Sequence, residues 1–175
     1  MTTTRQKKWD SRFYGICMEV SEWSTCLSRK IGTVIVRDDI IISTGFNGPP
    51  RGVTHCGEAR VFRDKSLPFI PVQHRNSCPR QALGYRSGQG LEFCTASHAE
   101  ENAIINAARI GISTLGTKMY MNCGIPCREC LKKIINSGIV EIICMNLDDW
   151  YDELSKFLVK ESDLIIRNYV NERIE

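Results

Sequence analysis

A chain of 175 residues is long enough for one domain with a real hydrophobic core and too short for two comfortable ones. Its 42% apolar and 25% charged residues are ordinary for a soluble globular protein. The formal net charge of +3 is too small to mark a nucleic-acid partner, though it suits a small anionic substrate. No apolar run approaches a membrane span, and the basic start, Met1 to Lys8, lacks the apolar stretch of a signal peptide, so a cytoplasmic protein (host cytosol if viral) is expected and no membrane partner.

In chain order, residues 9–26 carry Trp9, Phe13, Ile16, Cys17, Val20 and Trp23 at helical spacing, which predicts an amphipathic helix. Ile31 to Val36 and Ile40 to Phe46 are β-branched runs joined at Asp38–Asp39, a hairpin. Residues 47–52, Asn-Gly-Pro-Pro-Arg-Gly, read as a loop. Residues 57–95 are polar, basic and rich in Gly, Pro and Ser, and read as a cysteine-containing insertion with little regular structure, which calls for a function or a staple. Ser97 to Arg109 is a helix with Ala99, Ala103, Ile104, Ala107 and Ala108 inward and Gly111 as its stop. A strand over Thr117–Asn122, a helix from Pro126 to Ser137 closed by Gly138, a strand over Ile139–Met145, a helix over Trp150–Val159 and a strand over Leu164–Tyr169 complete the chain. The expectation is one α/β domain over residues 1–175. Its mixed five-stranded sheet has an antiparallel hairpin, parallel strands elsewhere and helices on both faces, giving three α/β/α layers.

Two short motifs carry the chemistry. His98-Ala99-Glu100 and Pro126-Cys127-Arg128-Glu129-Cys130 together form the H-x-E and P-C-x-x-C pattern of zinc-dependent deaminases. Cys127 and Cys130 are three apart, on one face of a helix's first turn, where the helix terminus favours thiolates. With His98 they make three protein ligands for a catalytic Zn2+, leaving a fourth position for water. Glu100, two residues beyond the histidine, is placed to move protons. A competing structural reading is a capping box, with Glu100 returning to the Ser97 amide. The nine cysteines are otherwise unusual for a chain read as intracellular, where disulfides are not expected. Cys17 and Cys144 fall on apolar stripes and read as core.

The fuller pattern resembles the deoxycytidylate (dCMP) deaminase family, whose fold is cytidine deaminase-like. The similar stretches run from Ser24 to Val36, Ile42-Ser-Thr-Gly-Phe-Asn-Gly-Pro-Pro-Arg-Gly52, His98-Ala-Glu-Glu-Asn-Ala-Ile104, Pro126 to Cys130 and Ile134 to Ile139. The resemblance implies hydrolysis of dCMP to dUMP and ammonia, supplying dUMP for dTTP synthesis. It also implies that Asn47 contacts substrate and that the Ala99 backbone meets the base edge. A homohexamer activated by dCTP and inhibited by dTTP follows only from this resemblance. A phosphomonoester needs cations, and Arg29, Lys30 and Arg51 flank the strands that carry Asn47. Cys123-Gly-Ile-Pro126 departs from the family's shorter polar approach to the proline. The family's stacking tyrosine is also missing near Asp148, which leaves Trp150 and Tyr151 as candidates for that role. Cys26 and Cys56 stand where some members bind a structural zinc. With Cys78 and Cys94 they would form a second, closed Zn2+ site that staples the insertion, with His55 and His74 as alternative ligands and free thiols as the other reading. Other functions consistent with the zinc motif are a free-nucleoside or tRNA deaminase and a non-catalytic zinc-stabilised binding module. The intact Glu100 argues against the last.

Overall fold

The computed structural model describes residues 3–86, 88–148, 150 and 152–169. Helix α1 (Thr4–Glu22) starts earlier than its apolar spacing suggests, because the Thr3 hydroxyl accepts from the Gln6 amide at 3.2 Å and caps it. Phe13, Cys17 and Val20 form its buried stripe. β1 (Gly32–Arg37) and β2 (Ile40–Phe46) pair antiparallel through a two-residue turn. Asp38 and Asp39 sit at φ 50° and 61°, the left-handed region that this kind of turn requires and that aspartate tolerates.

The insertion is more ordered than its composition suggests. It holds α2 (Glu58–Arg63), α3 (Pro79–Ala82) and short 3-10 turns at Val72–His74 and Leu91–Phe93. Its staple is an arginine. Arg60 is 4% exposed, and its guanidinium donates to Asp64 Oδ2 at 3.1 Å and to the Phe93 carbonyl at 2.7 Å, joining the two ends of the excursion. A buried arginine with ionic and carbonyl acceptors meets the hydrogen-bonding requirement of a desolvated charge.

The remaining elements are α4 (Ala99–Arg109), β3 (Lys118–Met121), α5 (Arg128–Asn136), β4 (Glu141–Cys144), α6 (Glu153–Glu161) and β5 (Ile165–Asn168). Among the described residues the sheet has five strands in the order β2-β1-β3-β4-β5. β3, β4 and β5 pair in parallel, as alternation with helices predicts, whereas β1 lies antiparallel to both β2 and β3. The β2–α4–β3 crossover therefore steps over β1, and β2, β3 and β4 all end at the same edge of the sheet. Crevices outside the carboxyl ends of strands are the usual sites in open α/β sheets.

Ile35, Met119, Met121 and Ile142 pack with Ala103 of α4 and Cys130, Leu131 and Ile134 of α5 on one face, with Leu158 and Val159 of α6 against them. Val34, Val36, Tyr120 and Ile143 pack with Phe13, Cys17 and Val20 of α1 on the other. This is the expected three-layer α/β/α architecture, and Cys17 and Cys144 are both fully buried in it. Gly45 sets the spacing of α4 from the sheet. A Cβ there would lie 2.2 Å from the Ala99 carbonyl and 2.3 Å from the Ala103 amide, so only glycine lets α4 approach β2 this closely.

One buried ionic network ties α1 to the far edge of the sheet. Asp10, 3% exposed, receives the Arg167 guanidinium at 2.5 and 2.9 Å, Gln6 Nε2 at 2.8 Å and the Tyr120 hydroxyl at 2.8 Å. Arg167 also donates to Glu141 at 2.5 Å. Burial pushes the Asp10 carboxyl up, but the donors from Arg167, Gln6 and Tyr120 outweigh it and hold the group below the usual aspartate range.

Candidate metal and catalytic site

The site assembles from two helix starts. His98 is the N-cap of α4 and Cys127 the N-cap of α5, both in extended backbone, so each side chain projects from the point where its helix begins. Cys130 lies in the first turn of α5, 2% exposed. His98 Nδ1 lies 3.4 Å from Cys127 Sγ and 3.3 Å from Cys130 Sγ. Among the described residues these three form the one group of three or more His, Cys, Asp or Glu residues whose ligand atoms all lie within 4.8 Å of one another. A tetrahedral zinc with Zn–S near 2.3 Å and Zn–N near 2.0–2.1 Å spaces its ligand atoms roughly 3.6–3.8 Å apart. The nitrogen and two sulfurs fit that ion in donor type, number and, to a few tenths of an ångström, spacing.

The three donor groups perturb one another. The Cys130 thiol's hydrogen bond, the His98 ring and the Cys130 amide lower Cys127 to about 4, against the effect of burial. Cys130 is pushed up, because it shares that interaction with Cys127 and is buried. The bond to Cys127 raises His98 despite burial. Glu100, 4% exposed in the first turn of α4, is pushed up by burial, with its own amide and His98 pulling the other way.

The capping-box alternative does not hold. The helix is capped at His98, and the Ser97 amide donates to the Gly48 carbonyl at 2.9 Å, so it is not available to Glu100. The reciprocal bond from Gly48 to the Ser97 carbonyl, 3.2 Å, sets the loop after β2 beside the start of α4. Asn47 is thereby one residue from the bridge that leads into His98, and it is buried at 7% exposure. Ala99, fully buried, begins the helix between His98 and Glu100.

The three candidate cations separate. Lys30 is paired with Glu22 at 2.5 Å. Arg51 donates to Asn106 Oδ1 at 3.0 Å and lines a groove of about 520 Å3 with Ile41, Ile42, Arg109 and Ile110, which no triad residue lines. Arg29 is exposed; the Cys123 thiol, raised chiefly by burial, feels the charges of Glu100, Arg29, Cys144 and Cys17. Cys123, which the sequence left unassigned, packs against the same core cluster as Cys127 and Cys130. Its signal was its place two residues after β3, at the same sheet edge as the two motifs. Trp150 is half-buried in the β4–α6 connection, and Tyr151 lies outside the described residues.

The second ligand set comes together only partly. Cys56 feels the charges of both Cys78 and Cys94, and Thr25 Oγ1 lies 2.7 Å from His55 Nδ1, which draws the segments bearing Cys26 and Cys56 together. Cys56 Sγ, however, is approached at 3.5 Å by the Arg60 guanidinium, and these four cysteines are not gathered into a close donor group as the triad is. His74, in the 3-10 turn of the insertion, is exposed.

Comparison with known proteins agrees with the site. Residues 7–146 match the family described as the cytidine and deoxycytidylate deaminase zinc-binding region. The deoxycytidylate deaminase of Schizosaccharomyces pombe is 34% identical over 136 residues, covering 77% of this chain and 36% of that protein. That of Saccharomyces cerevisiae is 30% identical over 169 residues, covering 97% of this chain and 47% of that protein. The chain therefore spans less than half the length of either yeast relative. The deoxycytidylate deaminase of Enterobacteria phage T2 is 35% identical over 137 residues, covering 71% of this chain and 72% of that protein. The dCMP deaminase of cyanophage S-TIM5, crystallised with dCMP and dUMP, shares the fold with a TM-score of 0.65 at 19% identity, covering 92% of this chain and 96% of that chain. With a His-Cys-Cys donor set at two helix starts and most of its length matched, the chain belongs to the cytidine and deoxycytidylate deaminase zinc-binding family.

Proposed function

We propose that this chain, as one catalytic domain, hydrolyses dCMP to dUMP and ammonia. The observation that carries the reading is the convergence of His98, Cys127 and Cys130 beside a buried Glu100. The names of the yeast and phage relatives supply the nucleotide class.

His98, Cys127 and Cys130 would hold zinc, which when bound supplies Lewis-acid activation of water. The rest of the work falls to the chain's own groups. Glu100 takes a proton from the attacking water and delivers it to ring nitrogen N3. Once the water oxygen has bonded to C4, Glu100 takes the remaining proton from that oxygen and gives it to the amino group, so that the C4–N4 bond breaks, ammonia leaves and the C4 carbonyl forms. A carboxyl raised by burial is suited to both accepting and giving that proton. The Ala99 backbone meets the base edge, and Arg29 answers the phosphomonoester. Trp150 is the described candidate to stack on the base.

The wider reading takes up a cytoplasmic homohexamer with dCTP and dTTP as effectors, and a second zinc on Cys26, Cys56, Cys78 and Cys94. Among the described residues no helix is long and apolar enough to cross a membrane. Metal analysis addresses the second zinc: two zinc ions per chain support it, and one excludes it. Ammonia release from dCMP, dCTP and deoxycytidine, measured side by side, tests the substrate. Preference for dCMP is expected, and deoxycytidine outrunning dCMP would refute the nucleotide assignment.

A further inference from the structure

The loop that presents Arg29 is folded around a single carboxamide. Ser24, 6% exposed, lies just after α1, with its hydroxyl 2.8 Å from Asn47 Oδ1 and 2.7 Å from the Asn47 carbonyl oxygen. The same Asn47 Oδ1 accepts from the Ile31 amide at 2.8 Å, and Asn47 Nδ2 donates to the Arg29 carbonyl at 2.8 Å. The Cys26 amide donates to Ser24 Oγ at 3.2 Å, and the Asn47 amide to the Ile31 carbonyl at 3.2 Å. Both ends of segment 24–31, and the main chain of its arginine, are therefore fixed to one buried side chain. That side chain sits next to Gly48, which is bridged to Ser97, immediately before His98.

Two consequences follow. The Asn47 oxygen already has two partners, so Asn47 acts on a substrate mainly through the loop it organises. The arginine side chain is long and exposed. Its usefulness for an anion depends on how well its main chain is held, because each unfixed rotamer-rich side chain costs binding free energy when it is ordered. Lys30, the next residue, is already paired with Glu22.

We propose that Ser24 is a positioning residue for phosphate selection: through Asn47 it fixes the Arg29 main chain, so that the guanidinium is pre-set for the substrate's phosphomonoester. This rests on the nucleotide reading above. Ser24 touches no reacting atom; it acts on the preference for dCMP over deoxycytidine.

The test measures kcat and KM for dCMP and deoxycytidine with the full zinc-loaded chain. In Ser24→Ala, loss of the loop's order raises KM for dCMP by about tenfold with little change in kcat. The preference for dCMP over deoxycytidine falls by the same factor. In an Arg29→Gln background Ser24→Ala produces no further fall, because both act through one contact. Ser24→Thr, which keeps the hydroxyl, retains the preference. Equal losses on both substrates, or losses additive with Arg29→Gln, overturn the proposal. If Ser24→Ala does not fold, Ser24→Cys serves: at nearly the same volume it replaces the hydroxyl facing Asn47 with a weak thiol donor and adds no charge. A fall in preference supports the proposal, and an unchanged preference overturns it. A wild-type chain with no preference for dCMP fails at the earlier step, and this inference fails with it, before any variant is needed.

Discussion

At the residue scale, the site depends on which atoms are left free once the backbone is satisfied. The Ser97 amide is taken by Gly48, the α4 N-cap is His98, and Glu100 is left buried beside the donor triad without a structural partner from the cap. The sequence shows the triad and Glu100 outright, because metal ligation needs particular residue types at particular spacings. It does not show which of Arg29, Lys30 and Arg51 is available, since that depends on Glu22 and Asn106 reaching across from other elements. Nor does it show that Arg60 takes a staple's place inside the insertion. Gly45 gives a sharp residue-scale expectation. Gly45→Ala sets a methyl against the Ala99 and Ala103 backbone, so α4 must shift. Overpacking of this kind costs about 1–3 kcal/mol. A lowered midpoint in chemical denaturation, together with lost zinc affinity, checks it.

At the element scale, helices α4 and α5 matter because their first turns converge, and their convergence depends on the packing behind them. Leu131, fully buried one residue after Cys130, anchors α5 to the sheet with Ile134. Leu131→Ala is expected to cost about 2–5 kcal/mol, read from denaturant unfolding, with weaker zinc retention as α5 loosens. The elements were legible from apolar periodicity, with ends displaced by a few residues where caps such as Thr3 and Asp152 decide. The strand order was less legible. Alternating helices and strands announce parallel pairing, and β3, β4 and β5 obey it. The insertion of β1 between β2 and β3 is a long-range choice that no local pattern encodes.

At the scale of the whole molecule, the Asp10 network joins the two ends of the described chain, α1 and β5. Asp10 is held below its ordinary range, so its contribution to stability is fully present above the unfolded aspartate value, near 3.9. It is lost as pH falls through the lower, folded value. Asp10→Asn should therefore narrow the difference in stability between neutral pH and pH 3 relative to wild type, as measured by urea unfolding at the two pH values. An unchanged difference would place the acid sensitivity elsewhere. The network was invisible in the sequence, because its partners, Gln6, Tyr120, Glu141 and Arg167, are spread over four elements.

The most direct test of the account is turnover of dCMP by Glu100→Gln with zinc counted in the same preparation. The chain's own proton carrier predicts a fall of about 10²–10⁴-fold with wild-type zinc content, because the substitution removes the acid–base group and leaves His98, Cys127 and Cys130 untouched. Near-normal ammonia release from that variant with zinc still bound would contradict the assignment.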